Sequence, residues 1–246
     1  MAKKTLKETP KSNDAPNTLK DTVFFGLNLN DEQIVFRDAI YDKSIDIVLC
    51  EAKAGSGKTL IAVATAVVMY EYGLIDEIVY MVPGGVYESK QGYLPGTLDE
   101  KNAYMKVPLR QALLMLGYDP DRVIRTDVSA KEGAFITVQS DSYLRGYNIG
   151  DANHRTVLIV DEAQNYSRAA MKTVLSRLGV GSKAVVIGDI KQCDLIRYAA
   201  DYDNPISIAD NGFWSALHLY FNKPWSKTCK LNKCYRSQVA ELAEEL

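Results

Sequence analysis

Lys58 and Thr59 close the glycine-rich stretch "EAKAGSGKT", and far downstream two adjacent acids, Asp161 and Glu162, end the apolar run "TVLIVDEA". These residue types in this order can bind a nucleoside phosphate and split it. Backbone N–H groups of a glycine-rich turn cradle phosphate oxygens, a lysine adds a point charge, and a following hydroxyl ligates Mg²⁺. Gly57, Lys58 and Thr59 satisfy G-x-x-x-x-G-K-[ST], while Ala52 stands where that pattern opens with glycine. Alanine fits there if its φ is negative. Ala52, Lys53, Ala54, Gly55, Ser56, Gly57, Lys58 and Thr59 are therefore the candidate nucleotide-binding loop. The bland alternative is a glycine-rich turn joining a strand to a helix.

Two carboxylates at the tip of an apolar strand are costly unless they have a partner or a task. Asp161 can hold Mg²⁺ through its water shell, and Glu162 can polarise the attacking water as general base. Capping of the next helix is the alternative for Asp161. A further apolar run ends "VVIGDIKQ", which places Asp189 and Gln192 beyond its tip. Gln192 can sense the γ-phosphate or orient water. Three such groups at three strand ends point to a nucleotide site.

The elements that must position these groups are legible as periodicity. "DIVLCEA" (Asp46–Ala52), "EIVYMV" (Glu77–Val82), "AFITVQ" (Ala134–Gln139), "TVLIVDEA" (Thr156–Ala163) and "KAVVIGD" (Lys183–Asp189) are short, β-branched and almost continuously apolar. Parallel strands covered on both faces read this way. "GKTLIAVATAVVMYEYG" and "RAAMKTVLSRLG" have helical spacing and stop at Gly73 and Gly179, which suit left-handed caps. The fold class expected is α/β, a mostly parallel sheet with helices on both faces, with ligands at the carboxyl ends of the strands.

Composition narrows the rest. The 246 residues are 47% hydrophobic and 24% charged, with net charge −2 and a pI near 5.8. That is globular and has no global positive field. Four cysteines without C-x-x-C spacing, and only two histidines, argue against a disulfide scaffold or a structural zinc site. Residues 1–22 are poor in large apolar groups and are expected to be a disordered tail; residues 23–246 are expected to form one domain. No secretory leader and no apolar run of spanning length stands out, so a cytoplasmic protein with no membrane partner is expected.

The chain resembles a PhoH-like ATPase, related to the cores of superfamily 1 helicases. The resemblance runs from about Leu27 to the C-terminus. It is carried by "LNLNDEQ", "AGSGKT", "GYLPGTLDEK", "YLRG", "VDEAQN", "MKTVLSRLGVGSK" and "GDIKQCDL". It implies a RecA-like P-loop fold, hydrolysis of ATP with Mg²⁺, action on RNA or single-stranded DNA, and assembly into a homo-oligomeric ring. Two departures stand out: Ala52 opens the loop, and "VPGGVYESKQ" precedes "GYLPG" where the family tends to have an Arg-Pro and an acidic run. "LNKCYRSQ" is similar to the superfamily 1 block whose arginine reaches the γ-phosphate, which makes Arg236 a candidate catalytic residue; a surface arginine is the alternative. Gln33 satisfies a capping box with Asn30. By resemblance it would instead hydrogen-bond the adenine edge.

A single-strand surface needs cations for phosphates and aromatics for bases. Lys90, Tyr93, Tyr143 and Arg145 supply both types in segments that leave strand ends, with Tyr147 beside them. A nucleic-acid-stimulated, helicase-like ATPase is the leading reading; the alternatives are a P-loop kinase and a non-motor nucleotide-dependent regulator. Superfamily 1 motors grip the strand between two such cores, so a neighbouring subunit is expected to complete the site. A hexamer is implied, with Arg145 or Arg177 as the arginine supplied in trans.

Overall fold

A computed structural model describes residues 15–20, 24–84, 106–125, 133–141, 144, 148–193 and 210–243. Six strands, β1 (Ile47–Ala52), β2 (Glu77–Val82), β3 (Ile136–Ser140), β4 (Thr156–Val160), β5 (Lys183–Gly188) and β6 (Ser226–Leu231), form one sheet in the order β3-β2-β4-β5-β1-β6. Every pairing is parallel. The expected α/β architecture, a parallel sheet with helices on both faces, is what the chain adopts.

Alternate residues of each inner strand feed two separate cores, which explains the continuous apolar runs. Val48, Cys50, Ile78, Tyr80, Val157, Ile159, Val185 and Ile187 face one layer. That layer holds α1 (Asp31–Tyr41), α2 (Lys58–Glu71), α3 (Val107–Met115) and the short α4 (Pro120–Val123). Leu49, Val79, Met81, Leu158, Val160, Ala184 and Val186 face α5 (Arg168–Leu175) and α6 (Gly212–Leu219). A last helix, α7 (Gln238–Ala243), follows β6. α2 packs against the sheet with α1 and α3 beside it, so Ile61 through Met69 are all buried.

Gly73 has φ +63° after α2, and the bonds Gly73 N–H to Tyr70 O and Leu74 N–H to Met69 O complete the expected left-handed cap. Gly179 does not follow that expectation. α5 ends at Leu175, and Gly179 is not among the glycines with positive φ. A Cβ there would lie 2.0 Å from the Gly150 carbonyl oxygen, so the glycine serves a close backbone crossing instead of a cap. Within the stretch expected as a tail, Leu19 is fully buried and the Pro16 carbonyl accepts from the Tyr41 hydroxyl at 2.7 Å. Among the described residues no helix is long and apolar enough to cross a membrane.

Candidate active site

β1 leaves the sheet at Ala52, which is buried and outside the positive-φ residues, so alanine is unstrained where the loop pattern opens with glycine. Gly55 (φ +71°) and Gly57 (φ +84°) turn the chain into α2, whose N-terminus has no side-chain cap. Its first N–H groups are thus left for an anion. Lys53 is exposed, Ala54 and Ser56 are buried, and the Ser56 hydroxyl has no protein partner. A buried orphan hydroxyl, two glycines in left-handed turns and an uncapped helix start fit the phosphates of a nucleotide.

Two remote segments hold this loop. Asn30 and Gln33 form the expected capping box at the start of α1, and Gln33 Nε2 also donates to the Ser56 carbonyl at 2.9 Å. The Gln33 amide is thus engaged by the cap and the loop, next to the phosphate turn. From the other side comes the strap that follows β6. Its Tyr235 N–H donates to the Gly55 carbonyl at 2.9 Å. Arg236 lies over the loop so closely that a Cβ on Gly55 would be 2.6 Å from its Cγ. Asn232 ties the strap to α1 through two 2.8 Å bonds to the Glu32 carboxylate, which hold that carboxyl below its ordinary range.

The sheet order sets the acids opposite the loop: β5 lies between β1 and β4, and all three end at the same edge. Thr59 Oγ1 donates to Asp161 Oδ2 at 2.8 Å across 102 positions of sequence. The Tyr80 hydroxyl, buried in β2, donates to the same oxygen at 2.5 Å, and the Glu162 N–H donates to Asp161 Oδ1 at 2.8 Å. Burial first, and then Asp161 beside it, push the Tyr80 phenol well above its ordinary range, so it remains a donor. Among the described residues no cluster of three His, Cys, Asp or Glu could hold a metal alone. A hydroxyl, one carboxylate and phosphate oxygens are the hard oxygen donors that suit Mg²⁺.

Glu162 has φ +49° and ψ +41°, a strained conformation for a side-chain-bearing residue. The turn aims its carboxylate back toward the loop, with Oε1 at 3.9 Å from Lys58 Nζ. Its Oε2 accepts from Gln164 Nε2 at 2.6 Å, and Gln164 Oε1 accepts from the Asp189 N–H at 3.0 Å. Tyr80 and Gln164 are site residues that sequence reasoning missed. Each left a signal, one phenol in an aliphatic strand and one amide two places after the acid.

Gln192 closes a short 3₁₀ turn, Ile190–Gln192, just past β5 on the site's edge of the sheet. Arg177 lies past the end of α5, near where β5 begins, hence at the opposite edge from the loop; its buried Nε has no protein partner. Lys90, Tyr93, Tyr143, Arg145 and Tyr147 lie outside the described residues.

A family profile described as "PhoH-like protein" matches residues 28–220. The chain belongs to the PhoH-like family. The PhoH2 protein of Bacillus subtilis is 32% identical over 219 residues, covering 88% of this PhoH-like chain and 46% of its own length. A PhoH-like protein of Synechocystis is 37% identical over 166 residues, covering 66% of this chain and 48% of its own length. Protein PhoH of Escherichia coli K12 is 33% identical over 170 residues, or 68% of this chain and 45% of its own length. The PhoH-like chain thus spans about half the length of the curated relatives it matches.

Proposed function

We propose that this PhoH-like chain is a Mg²⁺-dependent ATPase. The observation that carries the reading is the meeting of loop and acids: Thr59 and Asp161 at 2.8 Å, with Glu162 turned to within 3.9 Å of Lys58. Bound Mg-ATP would supply the anhydride bond and the cation that offsets its charge. Lys58 and the uncapped N-terminus of α2 bind the phosphates, and Thr59 with Asp161 would hold the ion. The Glu162 carboxylate accepts the proton of the attacking water, and Arg236 on the strap is placed on the same side as the loop. Glu162 next to Asp161, with the "GDIKQ" strand end, favours hydrolysis over the transfer to an acceptor that a P-loop kinase performs.

Glu162→Gln should keep ATP affinity and lose about two to four orders of magnitude in turnover, the usual worth of a general base. Lys58→Ala should lose the affinity itself. Near-normal hydrolysis by the first variant refutes the assignment of the base.

The finer parts of the proposal follow from the family resemblance. They are stimulation by RNA or single-stranded DNA, helicase-like work, cytoplasmic residence, and a homo-oligomeric ring, a hexamer, with Arg145 or Arg177 reaching a neighbour's site. Turnover measured with and without poly(U) and oligo(dT) tests the first; an unchanged rate with both removes it. Light scattering that reports only monomer, with full activity, removes the ring.

A further inference from the structure

Gln164 is a buried polar side chain beside the acids that none of the roles above uses. It is 1% exposed, and its two amide atoms join the ends of two strands. Nε2 holds Glu162 Oε2 at 2.6 Å, while Oε1 accepts from the backbone N–H of Asp189 at the tip of β5. Its backbone carbonyl accepts from Asn211 Nδ2 at 2.7 Å and from the Cys193 thiol at 3.1 Å. Asn211 also caps α6 through the Trp214 N–H at 2.9 Å, and its Nδ2 lies 3.2 Å from Cys193 Sγ. Gly188 leaves room for the arrangement, since a Cβ there would stand 2.7 Å from Gln164 Oε1.

We infer that Gln164 is a positioning residue for Glu162, with Asn211 as its anchor; the inference rests on the proposed role of Glu162 as base. A glutamate on a strained left-handed turn, with a side chain 41% exposed, has many rotamers open to it. Lys58 at 3.9 Å is too far to fix one of them. The 2.6 Å bond from a buried amide fixes one, because that amide is itself clamped at its other end by a backbone N–H. Charged groups near Glu162 include Lys58 from α2, Asp161 just past β4 and Asp189 just past β5. None of them supplies such a short directional donor in the described structure. The tips of β4 and β5 and the start of α6 therefore act as one rigid mount for the carboxylate, as a preorganised site requires.

The test is a double-mutant cycle on single-turnover hydrolysis, with ATP affinity and thermal unfolding measured alongside. Gln164→Met keeps the volume and removes both amide contacts. It should lower kcat by about a hundredfold, the cost of a misplaced catalytic group, with ATP Kd changed less than about twofold. In a Glu162→Gln background the same change should cost less than about twofold more, because the group it positions no longer acts. Gly188→Ala, which displaces the amide without altering it, and Asn211→Ser, which keeps the helix cap but loses the donor, should fall in the same direction. They decide the matter should Gln164→Met fail to fold. Normal kcat in these variants, or losses that multiply fully in the Glu162→Gln background, overturns the inference. Normal turnover of Glu162→Gln alone would instead remove the base assignment, and this inference with it.

Discussion

Tyr80→Phe removes one buried oxygen from β2 and tests the support of the Asp161 carboxylate directly. The hydroxyl is buried with its residue at 1% exposure and donates to Asp161 Oδ2 at 2.5 Å. A hydrogen bond to a charged acceptor is worth about 1.5–3 kcal/mol net, and no water can replace this donor in so closed a place. Asp161 keeps two other donors, Thr59 Oγ1 and the Glu162 N–H, which puts the loss at the lower end. The cost expected is about 2 kcal/mol, or roughly 4–8 °C in Tm for a chain of this size. Urea unfolding without nucleotide or Mg²⁺ should show a lower midpoint at an unchanged slope. In an Asp161→Asn background, where the acceptor is neutral, the cost should shrink below about 1 kcal/mol. A Tyr80→Phe protein as stable as the parent, or one with equal cost in both backgrounds, refutes the account.

Ala52→Gly should cost about 0.5–1 kcal/mol of stability and leave turnover within about twofold, because the position needs no positive φ; a large rise in kcat would show alanine to be a handicap. Gly179→Ala forces a methyl 2.0 Å from the Gly150 carbonyl oxygen and should cost about 3 kcal/mol, the upper end for overpacking, read as a lower urea midpoint. Lys183 is a pH probe: burial pushes its ammonium from 10.5 down to about 8, although it donates to the Ile40 and Asp42 carbonyls. Its folded pKa lies below its unfolded one, so the unfolded chain binds more protons between those values. Stability relative to Lys183→Met should therefore rise as pH climbs from about 8 past 10, and a flat difference across unfolding curves in that window would contradict the burial.

Five strands were readable because doubly covered parallel strands are apolar on both faces, and that signal is local. β6 was not, since "SKTCKL" alternates buried and open positions as an edge strand does, with lysines facing out. The loop and the acid pair were legible from residue type and order, and the capping box from a three-residue spacing. Partnerships were not: Tyr80 stands out as a phenol in "EIVYMV", but nothing local says that it reaches Asp161 or that Gln164 reaches β5. Gly179 was misread because a cap and a close crossing both call for glycine, and only the neighbouring backbone of Gly150 tells them apart.

The grip on the phosphate loop has a consequence for how the chain is made. The bond between Glu32 and Asn232 spans 200 positions, and β1 pairs only with β5 and β6, both synthesised long after it. A nascent chain therefore carries β1 with both hydrogen-bonding edges open until residue 183 at the earliest and 231 at the latest. Such an apolar strand without partners is the kind of segment that associates wrongly during slow, non-local folding. The loop gains its contact from the Tyr235 N–H only when that residue has left the ribosome, so nucleotide at the proposed site could not draw on it earlier. Chaperone occupancy during translation should be highest between the emergence of β1 and that of β6.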